Sequence, residues 1–197
     1  MAVNTELIKK LRAMTGAGMM DVKKALEDAS DDLDAAAQLL RERGIAKADK
    51  KADRAASEGL VGSYIHHNGK IAVLVEVNCE TDFVALNQTF QDLARNLAMH
   101  VAMAAPKYVR REDVPADVVE EEKSALLKQV QEEGKPANVA EKIVEGRLNK
   151  FLAEMTLLEQ PYIKDDKKTI DDLVKEAIAT LGENIQIGRF ARIAIGE

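Results

Sequence analysis

Apolar positions recur at helical spacing three times over residues 4–54. Leu7, Ile8, Leu11 and Met14 stripe the first run, with Asn4 or Thr5 placed to cap its start. Thr15-Gly16-Ala17-Gly18 breaks it, and Met19, Met20, Val22, Ala25 and Leu26 stripe the second. Ser30-Asp31-Asp32 supplies the next turn and cap. Leu33, Ala36, Ala37, Leu39 and Leu40 mark a third helix, for which Gly44 is a suitable left-handed stop. The pattern predicts a compact three-helix unit. At residue 60 the period changes. Residues 60–65 and 71–77 are rich in β-branched side chains, and Asn68-Gly69 between them predicts a hairpin closed by a type I′ turn.

A helix is predicted to start near Thr81, break around Asn87 and run on through Phe90, Leu93, Leu97 and Val101 to Pro106. Residues 116–133 and 136–155 read as two charged, striped helices joined at Glu133-Gly134-Lys135-Pro136, a helical hairpin projecting as an antiparallel coiled coil. Residues 169–181 form a last helix, and residues 185–195 alternate like a closing strand. The fold class expected is α+β, with residues 1–54 and 55–197 as its two domains.

Charge changes this picture little. The 197 residues carry 28 Lys and Arg against 34 Asp and Glu, a net charge of −6, which argues against direct nucleic-acid binding by the whole protein. The basic excess gathers at 41–54, where six basic residues face Glu42, Asp49 and Asp53. Without interleaved aromatics this stretch reads as a semi-rigid, partly helical, solvated linker rather than an RNA contact. No apolar run approaches the roughly 18 residues of a membrane span. The first twelve residues are polar and helical in pattern, unlike a secretory signal, and the single Cys79 suits a reducing cytosol. A soluble cytoplasmic protein is expected.

Candidate chemistry is sparse. Gly16-Ala17-Gly18 has Asp21 where a dinucleotide loop needs its third glycine, and no strand precedes it, so it reads as a helix–helix turn. His66, His67 and Cys79 lack the spacing of a metal site, and adjacent histidines on a strand would face opposite ways. No cofactor, metal or catalytic constellation is expected. Two stretches stand out. Met19-Met20 after a glycine-rich turn suits either core filling or a partner-facing patch. In Asn78-Cys79-Glu80-Thr81-Asp82-Phe83-Val84, Thr81 suits an N-cap and Asp82 the positive helix end. Phe83 is then either buried beneath an ordinary cap or half of an Asp-Phe wedge at a strand–helix corner.

These residues carry a resemblance. The segment from Leu11-Arg12-Ala13-Met14-Thr15-Gly16-Ala17-Gly18-Met19-Met20 through Asp21-Val22-Lys23-Lys24-Ala25-Leu26 resembles the amino-terminal signature of bacterial translation elongation factor Ts. Glu76-Val77-Asn78-Cys79-Glu80-Thr81-Asp82-Phe83-Val84 resembles the second signature of that family. Gly134-Lys135-Pro136, Glu145-Gly146-Arg147, Gln160-Pro161 and Leu181-Gly182-Glu183-Asn184-Ile185 follow in register, so the likeness covers essentially the whole chain.

The resemblance implies a guanine-nucleotide exchange factor for elongation factor Tu, with no active site of its own. It implies that the three-helix unit is a ubiquitin-associated-like domain docking on the GTPase, with Arg12, Met19, Met20 and Lys23 as its contacts. It assigns Thr81, Asp82, Phe83 and Val84 to an intruding corner that disturbs the partner's Mg²⁺ and phosphate surroundings. Leu181 and Gly182 match a further contact loop, and a hairpin-tip histidine contact falls on His66 or His67. Longer family members carry two related halves in the core, whereas this chain has one. It resembles the short form, which implies a homodimer with strand 185–195 in its seam. The alternative from another class is a docking module that binds a ribosome-associated partner without affecting nucleotide.

Overall fold

The structure, a computed structural model, describes residues 5–134 and 136–197. Asn4 of the first cap and Lys135 of the hairpin turn lie outside the described residues. The fold is α+β. Helices α1 (Thr5–Thr15), α2 (Met19–Asp28) and α3 (Leu33–Asp49) precede strands β1 (Glu58–Ile65) and β2 (Ile71–Cys79). One helical turn, α4 (Asp82–Ala85), leads to α5 (Gln88–Ala104), α6 (Ala116–Glu132) and α7 (Ala137–Met155). A small hairpin of β3 (Pro161–Tyr162) and β4 (Asp165–Thr169), then α8 (Ile170–Leu181) and β5 (Gln186–Ala194), complete the chain.

The three long strands form a sheet in the order β1-β2-β5. Ile195 donates its N–H to the Lys70 carbonyl at 2.9 Å, while Gly188 lies against Glu76 and Asn78, so β5 runs antiparallel to β2. The β1–β2 turn departs from the type I′ expectation. His66 N–H bonds the Ile71 carbonyl, which leaves four residues in the loop, and Gly69 N–H bonds back to the His66 carbonyl. Only Gly69 of the Asn-Gly pair takes a positive φ, +68°, while the Asn68 side chain accepts from Lys70 N–H at 3.0 Å. The strands end too far apart for a two-residue turn. A normal turn closed by a left-handed glycine fills the gap instead.

The chain divides into two compact units. One takes the chain through Gly62 together with Glu76–Asn96 and Asp172–Gly188; the other takes Ser63–Val75, Leu97–Asp171 and Arg189–Glu197. In the first, Leu11, Val22, Ala25, Leu26, Ala36 and Leu40 are buried among the three helices, with Leu7, Ile8 and Leu33 packed against them. Asp32 caps α3 by accepting from Ala35 N–H at 2.9 Å, after a turn in which Ser30 and Asp31 adopt left-handed φ.

Helix α3 does not stop at Gly44; it runs on to Asp49. Gly44 is buried, and a Cβ built there would stand 3.1 Å from the Ala179 Cβ of α8. The glycine serves close helix approach rather than a left-handed cap. Arg41 with Asp172, at 2.9 Å, and Lys175 with Asp49, at 3.0 Å, flank that contact. Four more basic residues of the 41–54 stretch are also engaged. Arg43 pairs with Asp28, Lys47 reaches Asp21 at 2.8 Å, Lys51 donates to the Gly182 carbonyl at 2.5 Å and Arg54 reaches Glu80 at 3.5 Å. Exposed pairs of this kind add little stability each, but they fix orientation. This stretch is bonded in place, not a solvated tether.

In the second unit α6 and α7 share an apolar seam of Leu126, Val130, Ala140 and Val144, flanked by Leu127, Ile143 and Leu148. Arg147 on α7 clamps Glu133, which ends α6 beside the turn, through two bonds of 2.9 and 3.1 Å. The β3–β4 pair was not expected, because Asp165-Asp166-Lys167-Lys168-Thr169 has no apolar alternation. His100 on α5 is fully buried beside Gln160. Its Nδ1 accepts from Ile163 N–H at 3.4 Å, so Nε2 carries the proton and donates to Gln160 Oε1 at 2.9 Å. Gln160 in turn donates to the Glu154 carbonyl at 2.6 Å.

Burial pushes the His100 pKa below its ordinary 6.5, against the opposing pull of the Gln160 bond. A second ring proton would also set two N–H groups against each other at Ile163. The unfolded chain therefore takes up a proton first. The stability that the neutral ring contributes is complete above pH 6.5 and is lost as pH falls from there through the ring's own lowered pKa. Urea midpoints should drop between about pH 7.5 and about pH 5.5. An NMR titration placing the His100 ring at or above 6.5 would contradict this.

Candidate functional site

Strand β2 ends at Cys79, and two residues later the chain turns into α4. Thr81 caps that turn as its residue type predicts, its Oγ1 accepting from Val84 N–H at 3.4 Å. Asp82 stands in the first turn, exposed at the positive end of the helix. Ala85 faces inward and is buried, which leaves Phe83 81% exposed and Leu86 73% exposed. Residues three apart share a side of a helix, so the ring and the leucine form one apolar ridge. A buried Phe83 is thereby excluded. A single helical turn at the end of a strand buries only one side, and Ala85 takes it.

Backbone and side-chain bonds make the corner stiff. Glu183 Oε2 accepts from the N–H groups of Glu80 and Thr81 at 3.1 and 3.0 Å, and its Oε1 accepts from the Thr81 hydroxyl at 2.7 Å. Glu80 answers by accepting from Asn184 N–H at 2.7 Å, and Arg54 lies 3.5 Å away. The Asn184 N–H, aided by the charge of Arg54, holds the Glu80 carboxyl below the ordinary glutamate range. Asn184 Nδ2 donates to the carbonyls of Ala52 and Arg54, at 3.2 and 2.7 Å. Cys79 is buried and its thiol donates to the Thr81 carbonyl. Burial first, and the Glu183 carboxylate second, push that thiol's pKa up, so Cys79 is a packed, protonated side chain and not a nucleophile.

Arg12, Met19, Met20 and Lys23 are all exposed, and the open readings of the methionine pair resolve toward the surface: Met19 is 51% and Met20 75% exposed. Met14, on the apolar stripe of the first helix by its spacing, is instead 57% exposed. Gly16-Ala17-Gly18 is indeed a helix–helix turn. Gly16 takes φ +66°, and a Cβ there would touch Thr180 Cγ2 at 3.6 Å. The turn before Met19 therefore rests on the last turn of α8. Directly beyond lie Leu181, half-buried, and Gly182, exposed at φ +82°. One compact unit thus brings together the methionine turn, the Thr81-Asp82-Phe83-Val84 corner and the 181–182 loop.

His66 and His67 belong to the other unit. They do not face opposite ways, because both sit at the turn rather than on regular strand. Their ring centroids are 4.2 Å apart, edge to face. His66 Nδ1 bonds the Tyr64 hydroxyl at 3.1 Å, while His67 is exposed. Among the described residues no group of three His, Cys, Asp or Glu is placed to hold a metal ion, and no helix is long and apolar enough to cross a membrane. The site offers an apolar ring, a carboxylate, exposed thioethers and a loop on a rigid mount.

Residues 3–197 match the family model of elongation factor Ts. Elongation factor Ts of Geobacter metallireducens is 56% identical over 197 residues, covering all of this chain and 91% of that protein. Elongation factor Ts of Thermosipho melanesiensis is 53% identical over 195 residues, covering 99% of this chain and 100% of that protein. That of Nitratidesulfovibrio vulgaris is 55% identical over 196 residues, covering all of this chain and 98% of the other. With both signature segments falling in one unit and the match spanning both units, the chain belongs to the elongation factor Ts family.

Proposed function

We propose that this protein is a cytoplasmic guanine-nucleotide exchange factor that acts on the GTPase elongation factor Tu. The observation that carries the reading is Phe83, an aromatic ring 81% exposed beside Asp82 on a corner tied down by three hydrogen bonds. An exposed ring on a rigid mount is disfavoured in isolation and suits insertion into a partner.

An exchange factor needs no acid, base or nucleophile. It must bind the nucleotide-free partner more tightly, and linkage then weakens nucleotide binding by the same factor. GDP is held by backbone donors around its phosphates and by Mg²⁺. Phe83 pushes aside a loop that lines the Mg²⁺ site. Asp82 brings a carboxylate toward phosphate, where like charges repel strongly at short range. Val84 and Thr81 complete the intruding corner.

The three helices of the N-terminal segment act as a ubiquitin-associated-like docking domain. Met19 and Met20 pack on the GTPase, with Arg12 and Lys23 as polar contacts. Leu181 and Gly182 form the core contact, and the exposed His67, rather than the tethered His66, provides the hairpin-tip contact. Two copies pair through the sheet, where Ile65, Leu74, Ile193 and Ile195 are exposed, between 53% and 75%. A gel-filtration mass of one chain at micromolar concentration would remove that dimer.

The test is release of fluorescent GDP from purified elongation factor Tu, with and without this protein. Accelerated release is expected. Complex formation with unchanged release would leave a docking module and overturn the exchange reading.

A further inference from the structure

We propose that Glu183 is a positioning residue that makes the 181–184 loop and the Asp82-Phe83 corner move as one body, an inference that rests on the exchange reading. The bonds differ from ordinary loop contacts in their direction and number. Two consecutive backbone N–H groups, of Glu80 and Thr81, converge on one carboxylate oxygen, and the Thr81 hydroxyl takes the other. A carboxylate has no proton to give, so Thr81 must donate its own to Glu183. That leaves a lone pair of Thr81 Oγ1 free for Val84 N–H, the bond that caps α4. Glu183 thus sets the direction of the hydroxyl on which the wedge helix depends.

The tie is reciprocal. Glu183 holds the backbone at 80–81, while the Glu80 carboxylate holds the backbone at Asn184, 2.7 Å away. Asn184 is buried and extends the tie to residues 52 and 54 at the end of the N-terminal helical segment. Gly182, whose carbonyl accepts from Lys51, immediately precedes Glu183. Pressure on the Leu181-Gly182 loop is transmitted through the rigid carboxylate bonds to Phe83, without passing through flexible chain.

The discriminating experiment compares Glu183→Asp, Glu183→Gln and Glu183→Ala in the GDP-release assay, each with a thermal melt. Gln keeps the length and one carbonyl acceptor for the two N–H groups. Asp keeps the charge but is one methylene too short to reach all three donors. Positioning by geometry predicts that Asp and Ala lose stimulation about tenfold, given that bonds to charged groups are among the stronger ones, while Gln, which keeps an acceptor for the two backbone N–H groups but sets its NH2 against the Thr81 hydroxyl, falls between these and the native protein. Combined with Phe83→Ala, Glu183→Ala should add almost nothing, because both act through the same ring. A direct charge contact with the partner would give the reverse order, Asp active and Gln inactive, and would overturn the proposal; so would losses that multiply with Phe83→Ala.

Amide hydrogen exchange of the free protein supplies a readout that needs no GTPase. Glu80 and Thr81 should lose protection in Glu183→Ala and keep it in Glu183→Gln. If the native protein fails to accelerate GDP release, the exchange reading falls, and unchanged protection at those two amides would then sink the positioning role as well.

Discussion

Phe83→Ala is expected to remove most of the stimulation of GDP release while the thermal melt stays where it was. The ring is 81% exposed in the free protein, so truncation gives up little buried apolar area. Substitutions at such surface positions usually shift stability by no more than about 0.5 kcal/mol. An aromatic anchor that becomes buried on binding is worth about 2 kcal/mol or more, which corresponds to roughly thirtyfold in the affinity that drives exchange. Phe83→Leu should fall between the two, because it keeps apolar bulk without the flat ring. Parallel stopped-flow release and calorimetry would decide it. Loss of release and loss of melting temperature in equal measure would mean that Phe83 supports the fold and is not the wedge.

Gly62→Ala should be among the most damaging single-methyl changes in the chain. Gly62 is buried in β1, and a Cβ there would stand 2.5 Å from the Ala94 carbonyl oxygen, 2.7 Å from its carbon and 2.9 Å from its Cβ. Two of those three atoms are backbone, so no rotamer change relieves the clash; β1 and α5 must separate. Overpacking of this kind costs about 1–3 kcal/mol, a fall of roughly 3–10 °C in Tm for a chain of this size. Gly146 is the internal control. It lies within α7 with nothing inside 4 Å of a built Cβ, so Gly146→Ala should stabilise by about 0.5–1 kcal/mol. Calorimetry on the two variants should move Tm in opposite directions. A Gly62→Ala melt indistinguishable from the native one would show that the strand and helix have slack there.

How far the site could be read from residues alone varied with how local the cause was. The Thr81 cap was legible because a cap is a contact between residues three apart, 81 and 84. The break at Asn87 was legible too: α4 ends at Ala85 and α5 starts at Gln88. The exposure of Phe83 was not, since a residue type says nothing about which side of one turn faces the body. Glu183 stands in a signature segment, but its bonds were not legible, because its partners lie more than a hundred positions away and a glutamate beside a glycine carries no local signal. His100 was hidden in the same way inside an apolar helix, its partner Gln160 sixty residues on.

By itself the sequence determined the helices with a clear 3.6 period, the two β-branched strands joined by a glycine turn, and the signature segments that place the chain in its family. Those features rest on contacts between near neighbours, which residue order encodes directly. Tertiary structure alone decided the rest. It carried α3 through Gly44, because α8 needed the room a side chain would have filled. It closed the hairpin with a left-handed Gly69, because four residues lie between the last bonded pair, His66 and Ile71. It paired the five polar residues of β4 with Pro161 and Tyr162, because strand pairing satisfies backbone groups whatever the side chains. And it brought Arg54, Glu80, Thr81, Glu183 and Asn184 into one knot, because the donors and acceptors of a bonded corner need to meet in space and not along the chain.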